Sequence, residues 1–197
     1  MPQQAPPWEQ LEAAAASLSR MQADIRGTVH PQATVLGTLQ LGEGSTILPG
    51  TVIDGHVRIG RNCTIGPHAY VRGNTLIEDD CHIGHAVEVK SSIIRRGTHI
   101  AHLSYVGDSI LEEDVNLGGG CICSNFRHDA ANIRMPYNSA LADSGRNKLG
   151  CVIGAHSRIG CNCTILPGRV LPPHTATAPG SVVSRPGNKG NVTAPDR

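Results

Sequence analysis

The stretch "IGRNCTIGPHAYV", residues 59–71, has an aliphatic residue at every sixth position and a glycine directly after two of them. Stepping by six in both directions extends this series over 11 consecutive aliphatic positions: Val29, Val35, Leu41, Ile47, Ile53, Ile59, Ile65, Val71, Ile77, Ile83 and Val89. A six-residue period fits neither the 3.6-residue repeat of a helix nor the two-residue alternation of one strand. It is typical of a parallel β-helix, in which each hexapeptide supplies one short strand and one corner.

The series continues, with occasional five-residue steps, at Ile94, Ile100, Val106, Leu111 and Leu117, and again at Ile153, Ile159, Ile165 and Leu171. We therefore predict an all-β fold, a left-handed parallel β-helix over residues 29–188 with three hexapeptides in each coil. Each five-residue step shortens a coil to 17 residues, so Tyr105 is expected to stack on Glu88. By the same count His82, His99 and Asn116 fall into one column.

Two segments interrupt the period, and they are predicted to lie outside the coils. Residues 6–26 carry a helical stripe, so residues 1–28 are assigned as an N-terminal helical segment that covers the open end of the first coil. The stripe consists of Trp8, Leu11, Ala15, Leu18, Met21 and Ile25. Residues 126–149 are predicted to protrude as a loop toward a neighbouring subunit, and residues 189–197 to form a flexible tail.

Composition excludes several functional classes. The chain of 197 residues has a formal net charge of +1 and no apolar run of 18 residues, so neither nucleic acid nor a membrane is an expected partner. A cytoplasmic location is therefore predicted. The seven cysteines form no CxxC pair, and their odd number argues against a disulfide framework, so they are predicted to be reduced and mostly structural.

Polar side chains concentrate between Arg72 and Asn125, where the expected coils would bring them to neighbouring corners. The group consists of Arg72, His82, His85, Lys90, His99, His102 and Tyr105. It is followed by "GGGCICSN", residues 118–125, whose glycines allow another group to approach the backbone and its N–H donors. We identify this region as the candidate site, with Glu88 as the residue that orients His102.

The segment from "IGPHAYVRGNTLIEDD" (65–80) through "HIAHLSYVGDS" (99–109) to "GGGCICSNF" (118–126) resembles a known family. It is similar to the acetyltransferase domain of the bifunctional enzymes that make UDP-N-acetylglucosamine. "PPWEQLEAAAASL" (6–18) and "DSGRNKLGCVIG" (143–154) resemble the archaeal sugar-phosphate nucleotidylyltransferase branch. The nucleotidylyltransferase domain itself has no counterpart here, so nucleotidyl transfer would require a separate partner.

The resemblance implies a direct transfer from acetyl-CoA to an amino-sugar 1-phosphate by a homotrimer. It makes His102 the general base and Gly119 the amide that faces the acetyl carbonyl. The matching positions for the sugar phosphate are Arg72, Lys90, Tyr105, Asn116 and Lys148, and those for acetyl-CoA are Gly119, Asn125 and Cys161. No metal ligand is expected. The family's serine is replaced by Cys161, and its tyrosine after the asparagine by Phe126.

Two other functions are compatible with the repeat. A zinc hydratase of the γ-carbonic anhydrase type shares the fold, and the column of His82 and His99 could supply metal ligands. A non-catalytic scaffold or regulatory subunit would need no site at all. His102 occurs at the sugar-phosphate spacing relative to Arg72 and Lys90, so we favour the acyltransferase.

Overall fold

The computed structural model describes residues 5–184 and shows a parallel β-helix whose successive coils are joined by ladder hydrogen bonds. Each coil has three sides. The side that we call the polar face contains β3 (Thr34–Val35), β10 (Glu88–Lys90), β13 (Tyr105–Gly107), β16 (Ile122–Cys123), β21 (Thr164–Ile165) and β23 (Val182–Val183).

The next side is called the covered face, because other segments pack on it. It contains β1 (Asp24–Ile25), β4 (Thr38–Leu41), β11 (Ile93–Ile94), β14 (Ile110–Leu111), β19 (Val152–Ile153) and β22 (Val170–Leu171). Two long strands, β6 (Val52–Ile59) and β8 (Tyr70–Ile77), run from the polar face round into the covered face.

The third side, the histidine face, is a separate sheet of seven parallel strands. It contains β2 (Thr28–Val29), β5 (Thr46–Ile47), β7 (Thr64–Ile65), β9 (His82–His85), β12 (His99–His102), β15 (Asn116–Leu117) and β20 (Arg158–Ile159). Its register pairs His99 with His82 on one side and with Asn116 on the other, which confirms the predicted 17-residue column.

The aliphatic series lines the interior, as the six-residue period predicts. Its members are buried from Leu41 to Leu171, and the ladder pairs Glu88 with both Tyr70 and Tyr105. The first coil differs, because no coil lies beneath it: Val35 is 37% exposed although it belongs to the same series.

All seven cysteines are free thiols, and six of them are buried. Cys63 and Cys81 occupy the same inward column in adjacent coils, and each thiol donates to a backbone carbonyl. These contacts confirm the prediction that most of the cysteines are structural. Cys161 is the exposed one, and it lies at a corner of the coil.

The N-terminal helix differs from the prediction in both length and position. Helix α1 spans Pro7–Leu18, and the chain then turns so that Asp24–Ile25 pair with β4. Its buried side, with Leu11, packs on the covered face and leaves the open end of the first coil uncovered. The prediction of a cap on the first coil is therefore wrong.

The segment 126–149 leaves the coils as predicted, but it does not protrude freely. It forms an antiparallel hairpin of β17 (Arg134–Tyr137) and β18 (Ala140–Asp143) that folds back over the covered face. With α1 it builds a second hydrophobic core from Leu11, Ile93, Ile110, Ile133, Met135 and Leu149. Burial of outward-facing Ile93 and Ile110 drives this packing.

No helix among residues 5–184 is long and apolar enough to cross a membrane. The predicted tail, residues 189–197, and the end of the predicted β-helix domain lie outside the described residues.

Candidate functional site

His102 lies where the histidine face turns into the polar face. It is the last residue of β12, and its side chain is exposed. Leu103, at φ +50°, makes the turn. The His102 carbonyl accepts hydrogen bonds from the Gly120 N–H at 3.1 Å and from the Ser104 hydroxyl at 2.8 Å. The backbone of this corner is therefore fixed, while the imidazole is left open to solvent.

The glycine run stacks directly on this corner. A Cβ at Gly119 would lie 3.4 Å from the His102 Cβ, so the missing side chain leaves space beside the imidazole. The Gly119 N–H has no hydrogen-bond acceptor among residues 5–184, and its carbonyl accepts from Asn162. Cys161 occupies the next position of the same column. The structure thus brings together three residues that were predicted separately.

A row of ion pairs crosses the polar face next to this corner. The Arg72 Nε donates to the Glu88 Oε1 at 2.8 Å, and both side chains are about one-third exposed. Among the described residues the hydrogen-bond partner of Glu88 is thus Arg72, whereas the sequence predicted that Glu88 orients His102. The Lys90 Nζ donates to the Asp108 Oδ2 at 2.7 Å, and this lysine is only 18% exposed.

Asp108 is the main site residue that sequence reasoning missed. Its carboxylate is 5% exposed and accepts hydrogen bonds from Lys90 and from the Asn125 amide, with Arg146 4.0 Å away. It therefore joins a predicted sugar-phosphate residue to a predicted acetyl-CoA residue. The sequence signal was available, because Asp108 and Asn125 are 17 residues apart, which is one coil in this region.

Tyr105 lies between these ion pairs and the His102 corner. A Cβ at Gly107 would come within 2.3 Å of the Tyr105 hydroxyl and 2.8 Å of the Asn125 Nδ2, so the phenol and the amide both lie over this glycine. Burial raises the pKa of Tyr105, and the carboxylates of Asp108 and Glu88 raise it further. The phenol is thus a stable hydrogen-bond donor at neutral pH.

Two predicted residues lie apart from this group. Asn116 begins β15 on the histidine face, between His99 and Arg158 in its column. Lys148 is exposed on the insertion, where its backbone forms a bridge with Phe126. Among residues 5–184, neither side chain forms a hydrogen bond or an ion pair with Asp108 or with its partners Lys90, Asn125 and Arg146.

The histidine column next to Asn116 is a second cluster of titratable groups. The rings of His82 and His99 stack with their centroids 5.9 Å apart. Burial lowers the pKa of His82, and repulsion from His99 and His102 lowers it further. Within residues 5–184 no group of three or more histidine, cysteine or acidic side chains is placed to hold a metal ion.

A cleft of about 410 Å³ opens beyond Asn125, between the start of the insertion and the turn after β21. Phe126, Arg127 and Arg169 line it. The Arg169 Nε is buried and lacks a hydrogen-bond partner among the described residues, and both burial and repulsion from Arg127 lower its pKa. An anion in this cleft would give the Arg169 Nε a hydrogen-bond partner and would offset the repulsion between Arg169 and Arg127.

Known proteins resemble this chain over its coils. It is 47% identical over 100 residues to a bifunctional sugar-1-phosphate nucleotidylyltransferase/acetyltransferase of Sulfurisphaera tokodaii, covering 51% of this chain and 25% of that protein. It is 40% identical over 162 residues to the bifunctional protein GlmU of Methanocaldococcus jannaschii, covering 82% and 40%. The chain therefore spans well under half the length of either relative.

A solved structure, the acetyltransferase domain of PglB from Neisseria gonorrhoeae, aligns with a TM-score of 0.46 at 16% identity, over 86% of this chain and 61% of that one. The family model described as "GMPPB C-terminal domain" matches residues 53–182, which is more than half of the chain. This match includes the site corner and the ion pairs of the polar face, and it shows that the chain belongs to the GMPPB C-terminal domain family.

Proposed function

We propose that the protein is a CoA-dependent N-acetyltransferase that acts on an amino-sugar 1-phosphate. One observation carries the proposal: the exposed residue His102 lies next to Gly119, whose N–H has no acceptor among residues 5–184, at the edge of a face that holds Arg72 and Lys90. A base, an oxyanion donor and cations for a phosphate are the groups that this reaction requires. The relative from Sulfurisphaera tokodaii, whose name contains both sugar-1-phosphate and acetyltransferase, supports it.

In this mechanism, one residue of the chain accepts a proton and another stabilises the negative charge that develops during the reaction. The acceptor nitrogen forms a bond to the acetyl carbon, and His102 takes the proton that the nitrogen loses. The Gly119 N–H stabilises the negative charge on the carbonyl oxygen as the tetrahedral species forms. The carbon–sulfur bond then breaks, and the thiolate leaves with the proton returned by His102 or by solvent. No covalent enzyme intermediate is needed.

The donor is proposed to lie along Asn125 and the cleft of Phe126, Arg127 and Arg169. The orphaned Arg169 Nε and the exposed Phe126 ring fit a ligand that combines phosphates with an aromatic base, which acetyl-CoA does. Gly119 and Cys161 would then flank the acetyl end of the donor, next to His102.

The acceptor is proposed to bind on the polar face, with its phosphate at Arg72 and Lys90 and a hydroxyl at Tyr105. Asn116 completes this set only from another copy of the chain, so we propose a homotrimer as the active form. Exposed apolar side chains near the corner support contact with a second subunit, since Leu103 is 62% and Ile122 39% exposed.

The proposal is tested by thiol release from acetyl-CoA with a panel of amino sugars and amino-sugar 1-phosphates. We expect release with a phosphorylated amino sugar, and a loss of roughly 100-fold to 10,000-fold in His102→Ala. Because His102 is exposed, this variant should unfold at the same denaturant concentration as the wild type. Wild-type turnover by His102→Ala would exclude it as the base, and no release with any acceptor would overturn the proposed function.

A further inference from the structure

Arg72 is held by side chains of two neighbouring strands on the polar face. Tyr70 precedes it by two residues in β8, so both side chains project from the same side of the strand. The Arg72 guanidinium carbon lies 5.5 Å from the centroid of the Tyr70 ring, within the range of a cation–π contact. Glu88, the ladder partner of Tyr70, accepts the Arg72 Nε–H at 2.8 Å. The guanidinium therefore lies across Tyr70 and Glu88 instead of extending freely into solvent.

Asp54 fixes the Tyr70 ring from the preceding coil. The Tyr70 hydroxyl donates to the Asp54 Oδ2 at 3.1 Å, and Asp54 is also the ladder partner of Arg72. We call Asp54, Tyr70 and Glu88 the arginine support. Its hydrogen bonds restrict the orientation of both the ring and the guanidinium that lies on it.

The arginine support leaves one edge of the guanidinium unused. Among residues 5–184, neither Nη1 nor Nη2 of Arg72 has a hydrogen-bond partner, since its one hydrogen bond is made by Nε. The Arg72 side chain is 34% exposed, so this edge is open to a ligand. Two guanidinium N–H groups of fixed direction match two oxygens of a phosphate.

Arg72 and Lys90 are held in opposite directions along the polar face. Lys90 donates to a carboxylate at the corner that leads into the covered face. Tyr70 and Glu88 precede the two cations by two residues in their strands, so they lie on the side that is nearer to the His102 corner. The arginine support thus draws the charge of Arg72 toward the candidate base and away from Lys90.

We infer that Tyr70 and Glu88 are positioning residues for the phosphate of the acceptor, and that they act through Arg72. They hold the guanidinium with its free Nη edge available, so that less side-chain entropy is lost when the phosphate binds. This role adds Tyr70 to the site and gives Glu88 a task other than the predicted orientation of His102. The inference rests on the proposed function, because the phosphate belongs to the proposed acceptor.

Calorimetric titration of the full chain with glucosamine 1-phosphate and with glucosamine tests the inference. Tyr70→Leu removes the ring and Glu88→Asp shortens the carboxylate at constant charge, so each should weaken binding of glucosamine 1-phosphate roughly twofold to fivefold. Tyr70→Phe keeps the ring and should bind this compound more tightly than Tyr70→Leu. Glucosamine lacks the phosphate, so its affinity should change less than about 1.5-fold in all three variants.

A double-mutant cycle separates positioning of Arg72 from a structural role. In the Arg72→Met background, Tyr70→Leu and Glu88→Asp should change the affinity for glucosamine 1-phosphate less than about 1.5-fold, because the residue through which they act is gone. A full loss in that background, or an equal loss for both compounds, would overturn the inference.

The wild type and the single variants decide between the remaining outcomes. An unchanged affinity for glucosamine 1-phosphate in folded Tyr70→Leu and Glu88→Asp variants would also overturn the inference, even if the wild type transfers acetyl groups. A wild type that binds neither compound and releases no thiol would instead refute the proposed function, and with it this role of Tyr70 and Glu88.

Discussion

Gly84→Ala is predicted to destabilise the coils directly beneath the candidate base. Gly84 precedes His85, which is the ladder partner of His102 in the next coil. A Cβ at this position would lie 2.0 Å from the Ala101 carbonyl oxygen and 2.7 Å from its carbon, where real Cβ contacts are essentially never shorter than 3.0 Å. Both partners are backbone, so no side-chain rotation can remove the overlap.

The expected cost follows from the contacts that must open. Two coils have to separate by about 1 Å at this point, which is an overpacking strain of roughly 1–3 kcal/mol. The separation weakens the hydrogen bond from the Leu103 N–H to the His85 carbonyl, 2.9 Å, which joins the same two coils. At about 1 kcal/mol, this bond brings the total to roughly 2–4 kcal/mol.

Urea unfolding followed by circular dichroism at one protein concentration measures this loss. With a slope of about 1–3 kcal/mol per molar urea, the midpoint should fall by at least about 0.7 M. Gly119→Ala is the matched control, because its Cβ would meet the His102 Cβ at an ordinary 3.4 Å. The reasoning is refuted if Gly84→Ala loses less than about 1 kcal/mol, or if Gly119→Ala loses as much.

Three further predictions address the second core and the site. Met135→Ala should lower the stability of the second core by about 2–5 kcal/mol, so amide hydrogens of α1 and of the insertion should exchange faster while those of the β-helix do not. Faster exchange throughout the chain would contradict a separate core. Burial and the Asp108 carboxylate raise the pKa of the Tyr105 phenol, so it should ionise above a pH of about 10. The ultraviolet difference spectrum between the wild type and Tyr105→Phe, followed against pH, measures this ionisation. An ordinary tyrosine pKa would contradict the described network. Because the unfolded chain loses that proton first, stability should fall as the pH rises between the two pKa values. Gly119→Ala should fold normally yet slow acetyl transfer at least about tenfold, because its methyl group would fill the space beside His102, and full activity would show that the reaction does not use this space.

The coils could be predicted from the sequence because every hexapeptide forms the same unit of one short strand and one corner. An aliphatic residue six positions on meets the same inward column, so Ile83, Ile100 and Leu117 stack without any long-range information. The same arithmetic placed Tyr105 on Glu88 correctly. Helix α1 and the insertion were misplaced because their positions depend on contacts between segments far apart in sequence.

A signal for their position was present nevertheless. The neighbouring aliphatic pairs Leu76-Ile77, Ile93-Ile94, Ile110-Leu111 and Val152-Ile153 each put one apolar side chain outward on the covered face. A column of outward apolar residues requires a cover. The partners of Asp108 were harder to predict from the sequence, because Arg146 lies near the Asp108 carboxylate only through the fold of the insertion.

The cover on one of the three sides also restricts the symmetry of any assembly. With α1 and the hairpin packed on the covered face, lateral contacts that keep this packing must use the polar and histidine faces. Tyr105 lies on the polar face and Asn116 on the histidine face, so a ligand shared between two copies, as proposed above, would join unlike surfaces. Such a contact is heterologous, and it closes into a ring only if the rotation between copies divides the full turn. The three-sided cross-section makes a third of a turn the natural step, and in that ring every copy would present its covered face to the outside.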